Sequence, residues 1–174
     1  VENDTKFVPV LVGQFLEAVG FACADSAARM KMSIALEEAL LNAMIHGNLE
    51  VCSELRHRDD DSFQKLIAAR QRNPIYGDRR VTVGVDVSSE RIEFTIADEG
   101  PGFDVDRLPD PAREDRVDVP TGRGIMMMRT LMDEVSFNSE GNQVTLTMWL
   151  SRRETSPAID RLAIDEETLE MISA

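Results

Sequence analysis

The sequence predicts an α+β two-layer sandwich, a mixed and mostly antiparallel sheet with helices packed on one face. Three patterns carry that expectation. Apolar residues at three- and four-residue spacings fill the first third of the chain, strict alternation takes over between positions 81 and 96, and a last alternating run closes at 144–150.

The elements run in order. Residues 7–20 read as a short helix, with Val12, Phe15, Leu16 and Val19 on one stripe and Gly20 closing it. Asp25 or Ser26 caps a second helix running through Met30, Ile34, Leu41 and Ile45 and ending at Gly47, a usual place for a left-handed stop. From 49 to 80 the pattern weakens and charges cluster. This stretch reads as an insertion, with Phe63, Leu66 and Ile67 forming a brief helix.

Val81, Val83, Val85 and Val87 share one face of a strand, and Ile92, Phe94 and Ile96 share one face of the next, joined by a hairpin at 88–91. The second strand leads straight into Asp98-Glu99-Gly100-Pro101-Gly102. Residues 104–121, rich in Asp, Arg and Pro, read as a mobile segment before Gly122 and Gly124 open a helix over 125–131. In the final strand Val144, Leu146, Met148 and Leu150 oppose Thr145, Thr147 and Trp149. The domain therefore spans 1–150, and 151–174 is a charged tail, either a short docking helix or partly disordered.

Composition excludes several functions. At 174 residues and 43% hydrophobic the chain can bury one sizeable core, whereas a second full domain needs more length. A net charge of -13 argues against direct nucleic-acid binding, and it means that a triphosphate would have to be held by metal and backbone dipoles. Cys23 and Cys52 have no metal-ligand spacing and fit a reduced, cytoplasmic protein. No apolar run reaches the roughly 18 residues that span a bilayer, so no membrane partner is expected.

The chemistry concentrates on one helix and two glycine-broken loops. Glu38 and Asn42 stand four residues apart and so share a helix face. A Glu within an apolar helical pattern is rarely filler, because burying an unpaired carboxylate is costly; a buried structural pair is the bland alternative. Glu37 points about 100° away, toward solvent. Asn42 alone could bond locally to backbone. His46 reads as a helix-end cap or structural histidine in preference to a sole general base. Asp98 alone could form an Asx turn, and each Gly-x-Gly alone a simple turn. Met126, Met127 and Met128 read as adaptable core and interface filling.

Taken together these groups are far more specific. The run Glu38-x-x-x-Asn42-Ala43-x-x-His46-Gly47, then Asp98-x-Gly100-x-Gly102-Phe103, then Gly122-x-Gly124-Ile125-x-Met127-Met128 resembles the GHKL, or Bergerat-fold, ATP-binding domain of gyrase, a class of heat-shock chaperones, histidine kinases and mismatch-repair proteins. The stretches 37–48 and 122–135 resemble the anti-sigma factor serine/threonine kinases in particular. No P-loop motif is present.

That resemblance implies ATP and Mg2+ as cofactors. It implies Glu38 as the catalytic base, Asn42 as metal ligand and nucleotide contact, and Asp98 as acceptor for the adenine amine. Gly100 and Gly102 would pass under the base, and Gly122 and Gly124 would offer N–H groups to the phosphates. His46 and Arg123 join the nucleotide-binding set, and Asn142 stands where a supporting threonine usually follows glycine. Implied partners are a sigma factor and an anti-anti-sigma factor bearing the phosphorylated Ser or Thr, with homodimerisation expected. Two other readings stay open. One is a nucleotide-responsive module that sequesters a regulator without transfer. The other is a histidine kinase fragment, disfavoured because 104–121 is short for such a lid and no histidine-bearing helix precedes the domain. The region after Asn42 is longer than in compact family members, the usual first strand is missing, and Val1 is not an initiator, all of which suggest a piece of a larger protein.

Overall fold

The computed structural model describes residues 1–52, 61–108 and 123–150. A 3-10 turn, Thr5–Phe7, leads into α1, Val8–Ala18, which Pro9 opens within its first turn. Asp25 caps α2, Ser26–Leu41, by accepting from the Ala27 N–H at 2.9 Å. At Asn42 the helix changes winding and continues as a π-helix, Asn42–Asn48. Gly47 is therefore not the expected left-handed stop. That conformation falls to Glu50, with φ 51°, after the chain has run through Gly47 into Asn48 and Leu49.

Helices α3, Ser62–Gln71, and α4, Pro74–Gly77, come next, and then strands β1, Thr82–Val87, and β2, Arg91–Ala97. After a second 3-10 turn, Val105–Arg107, come α5, Arg123–Leu131, and strands β3, Glu134–Phe137, and β4, Gln143–Trp149. The sheet order is β1-β2-β4-β3, and every pairing among the described residues is antiparallel. Strand β3 has no counterpart in the sequence expectations, because only Val135 and Phe137 alternate in it.

Register explains why the helices cover one face. Ile92, Phe94 and Ile96 stand opposite Met148, Leu146 and Val144, so six apolar side chains point the same way. They meet Val8, Val12 and Val19 around α1, Met32, Ala35, Leu36, Ala39 and Leu40 of α2, and Met128 of α5. The valines of β1 lie on the same face but at the sheet edge, where Val85 is left 39% exposed. A smaller cluster of Ile45, Leu49, Val51, Phe63 and Ile67 ties α3 to the end of the π-helix.

The core-facing stripe of α2 also differs from expectation. Met30 is 67% and Ile34 38% exposed, because the helix turns Met32, Ala35, Leu36 and Ala39 inward instead. Of the three consecutive methionines, Met128 is buried and Met126 and Met127 face outward. Among the described residues no helix is long and apolar enough to cross a membrane. The expected glycine opening at Gly122, most of the 104–121 segment and the 151–174 tail lie outside the described residues.

Truncating Phe94, fully buried at the sheet centre, should lower unfolding free energy by about 3–5 kcal/mol, whereas Met30→Ala should change it by no more than about 0.5. Urea titrations followed by the fluorescence of the single tryptophan, Trp149, separate the two outcomes.

Candidate functional site

Three close approaches assemble the site, and each depends on a glycine. Gly124, in the first turn of α5, lies against the carboxylate of α2 and the amide that opens the π-helix: a Cβ there would sit 2.7 Å from Glu38 Oε2 and 3.2 Å from Asn42 Nδ2. Glu38 and Asn42 therefore face the start of α5 together, where unpaired N–H groups and the positive helix end favour anions. Arg123 opens that helix with its side chain exposed. Asn42 also marks the switch from α to π winding, an irregularity that recurs at functional sites.

The second approach joins the π-helix to the loop after β2. A Cβ on Gly47 would lie 2.3 Å from Asp98 Cγ, and one on Gly100 would lie 2.3 Å from the Gly47 carbonyl oxygen. No side chain fits at either position without displacing the carboxylate or the backbone. Asp98 Oδ1 accepts from the Gly100 N–H at 2.8 Å, and the Asp98 N–H donates to the Asn142 carbonyl at 2.9 Å. Asn48, fully buried, accepts the Glu99 N–H at Oδ1, 2.8 Å away.

The third approach closes the loop onto the β3–β4 hairpin. Gly102 and Gly141 both have φ 71°, and a Cβ on each would fall on top of the opposing backbone, 1.9 Å from Glu140 O and 2.1 Å from Phe103 O. Phe103 packs edge-on against Phe137, with ring centroids 5.3 Å apart. The Asn142 side chain is engaged by Asn138, whose Nδ2 donates to its Oδ1 at 2.7 Å.

His46 is bound from the chain just beyond its helix: Nδ1 lies 2.6 Å from the Val51 carbonyl. A carbonyl only accepts, so that nitrogen carries the proton and braces the helix end. Asn48 and Gly141 complete the arrangement although neither is among the candidate site residues named from the sequence. The signals the sequence holds for them are that Asn48 closes the stretch 37–48 and that Gly141 immediately precedes Asn142.

Asp98 is half-buried, and burial pushes its carboxyl above the ordinary 3.8, against the Gly100 N–H and the Arg79 charge, which both favour ionisation. A carboxylate held where it is incompletely solvated has acceptor capacity to spare. Its second oxygen has no partner among the described residues that would satisfy it.

Residues 8–148 match the family described as the histidine kinase-like ATPase domain. The chain belongs to that family. Comparison with curated proteins returned no match. As a histidine kinase-like ATPase domain the chain is an α+β fold of the GHKL type, and its sheet and helical layer accord with that assignment. The continuous helix from Ser26 to Asn48 places Glu38 near its middle and Asn42 and Gly47, the latter packed on Asp98, in its C-terminal part. Gly47 lies nine positions beyond Glu38, a rise of roughly 13 Å.

The raised pKa of Asp98 makes a prediction for the nucleotide-free domain. The stability tied to its protonated form is present below 3.8 and lost as pH rises through the higher folded value. Asp98→Asn keeps an oxygen for the Gly100 N–H and removes the titration. Its melting temperature should therefore exceed that of the unsubstituted protein at neutral pH, by a margin that shrinks as pH falls toward 4. A variant less stable at pH 7 than at pH 4, relative to the parent, would contradict this.

Proposed function

We propose that this domain binds ATP with Mg2+ and transfers the terminal phosphoryl group to a serine or threonine hydroxyl of a partner protein, in the manner of the anti-sigma factor kinases. In that reading the acceptor is an anti-anti-sigma factor and a sigma factor is the competing partner. The observation that carries it is the joint presentation of Glu38 and Asn42 to the glycine-bared start of α5.

The residue types suit the ligands. Neither the Glu38 carboxylate nor the Asn42 amide is tied to another described side chain, and the missing Cβ of Gly124 leaves room beside both. Asn42 offers a hard oxygen to a divalent cation. Among the described residues no three His, Cys, Asp or Glu are grouped to hold a metal, so such a cation would draw most of its ligands from the phosphates and water. Magnesium, when bound, would screen the phosphate charge that repels an incoming hydroxyl.

The chain's own contribution is positional. Asp98 accepts the adenine amine; guanine presents an acceptor at that position and would meet a carboxylate with no proton between them. Gly100 and Gly102 keep the loop flat beneath the base. Backbone N–H groups at the head of α5 receive the phosphates. Glu38 takes the proton of the attacking hydroxyl as its oxygen bonds to phosphorus and the bond from phosphorus to the β–γ bridging oxygen breaks, releasing ADP. Exposed Met30, Ile34, Met126 and Met127 on the two helices that carry this site give a protein acceptor an adaptable apolar surface. A phosphate on that acceptor, adding a charge of about -1.5 to -2, would weaken its hold on a chain that already carries -13.

Glu38→Gln should abolish phosphoryl transfer to a small acceptor protein, by at least about 100-fold in rate, with ATP affinity changed little. Radiolabelled transfer paired with calorimetry on the same preparation checks it. Transfer at the parental rate would remove Glu38 as the base, and loss of ATP binding would make it a binding group instead. Asp98→Asn should weaken ATP more than GTP, and an equal loss for both in calorimetric titrations would count against its adenine role.

A further inference from the structure

Outside the residues already assigned, one polar network stands out at the end of the π-helix. Helix α3 and the segment between it and β1 each send one arginine back to it, Arg70 and Arg79. Arg79 Nη1 donates to the Asn48 carbonyl and lies equally close to Glu50 Oε1, both at 2.8 Å. Arg70 Nη1 donates to the Leu49 and Glu50 carbonyls. Both guanidiniums also lie over the Tyr76 ring, at 4.7 Å for Arg70 and 5.3 Å for Arg79. A helix C-terminus with unpaired carbonyls, a left-handed Glu50 and two cations that satisfy both thus converge on Asn48, Leu49 and Glu50.

Asn48 connects this network to the base-reading loop. Its carbonyl is held by Arg79 on one side, and its Oδ1 holds the Glu99 N–H on the other. Only an acceptor can meet that N–H, so the amide orientation is set, and Nδ2 is left buried and without a partner among the described residues. Leaving a buried donor unpaired is unfavourable, so the orientation must be enforced by something else. The Glu99 N–H sets that orientation from the loop, and Arg79 fixes the backbone that carries the side chain. The next N–H, that of Gly100, is the one that Asp98 Oδ1 accepts.

We propose that Arg79 is a positioning residue for base recognition: by anchoring Asn48 it holds the Glu99–Gly100 turn that aims Asp98, and so sets selectivity for adenine. The proposal rests on the nucleotide reading above. Arg79 itself touches no part of the nucleotide. It acts through Asn48, beside the direct effect of its charge on Asp98, and its side chain is kept in place by Glu50 and the face of Tyr76. The segment 61–80, which the nucleotide motifs do not include, thereby becomes a support for the adenine end of the site. Its short helix α3 is fastened to the π-helix by the second apolar cluster, so Arg70 arrives from a packed element, and Arg79 follows α4 and packs on its Tyr76 ring.

The test uses two readouts on the whole chain. Arg79→Met keeps a stem to pack on Tyr76 and removes the donors; Arg79→Lys keeps a charged donor. In nucleotide-free protein, NMR-detected hydrogen exchange at the Glu99 and Gly100 amides should quicken about tenfold or more in Arg79→Met and return toward the parental rate in Arg79→Lys. In calorimetry Arg79→Met should bind ATP about tenfold more weakly while GTP affinity changes less than about twofold, and in an Asp98→Asn background the same substitution should cost nothing further. Should Arg79→Met fail to fold, Glu50→Gln, which loosens Arg79 without removing it, gives a smaller loss of the same selective kind. Unchanged exchange, an equal loss for ATP and GTP, or full additivity with Asp98→Asn overturns the proposal. A parental protein that binds no ATP instead overturns the nucleotide reading, and it does so in a titration that involves no Arg79 variant.

Discussion

The contact between Gly47 and the Asp98 carboxyl group is the constraint on which the rest of the site depends. It brings a helix and a strand-end loop to a separation that no Cβ could survive, and the Gly100 backbone then fits over the Gly47 carbonyl. Once that contact is made, the neighbours have little freedom left. Asn48 faces the Glu99 N–H, the Asn142 carbonyl meets the Asp98 N–H, and the loop beyond Gly102 folds onto the β3–β4 hairpin. A half-buried carboxylate whose ionised form is penalised by burial results, at some cost in stability.

The same helix carries both ends of the arrangement. α2 presents Glu38, its π-helical continuation presents Asn42, Gly47 and Asn48, and Leu36, Ala39, Leu40 and Met44 anchor this stretch in the core. Folding and the candidate site therefore share one element: its buried stripe holds the sheet and its flank carries the candidate site residues. The winding change at Asn42 rotates the later residues relative to a continuous α-helix, so that Gly47 and His46 arrive where the loop and Val51 require them.

Much of this is legible in the residues alone. Alternation at 92–96 and 144–148 locates the central strands and their shared face, and the four-residue spacing of Glu38 and Asn42 puts both on the side that meets Gly124. The features that escape the sequence do so for physical causes. The apolar residues Met30 and Ile34 fit a helical stripe but not the buried one, since periodicity fixes an angle between residues and not which angle faces the sheet. Gly47 reads as a stop because glycine commonly is one, whereas its use here is proximity to Asp98, far along the chain, which no local pattern records. Strand β3 is too short to alternate convincingly. The roles of Arg70 and Arg79 are likewise non-local, and in sequence they are two charges among many in a stretch that reads as an insertion.

If these contacts form a site for ATP with its divalent cation, the most direct measurement is calorimetric titration of the unsubstituted protein with ATP, with and without magnesium. Saturable binding at one site per chain is expected, weakened when the metal is chelated and weaker again for GTP. Absence of any ATP binding in the presence of magnesium, by a protein shown to be folded, would contradict it.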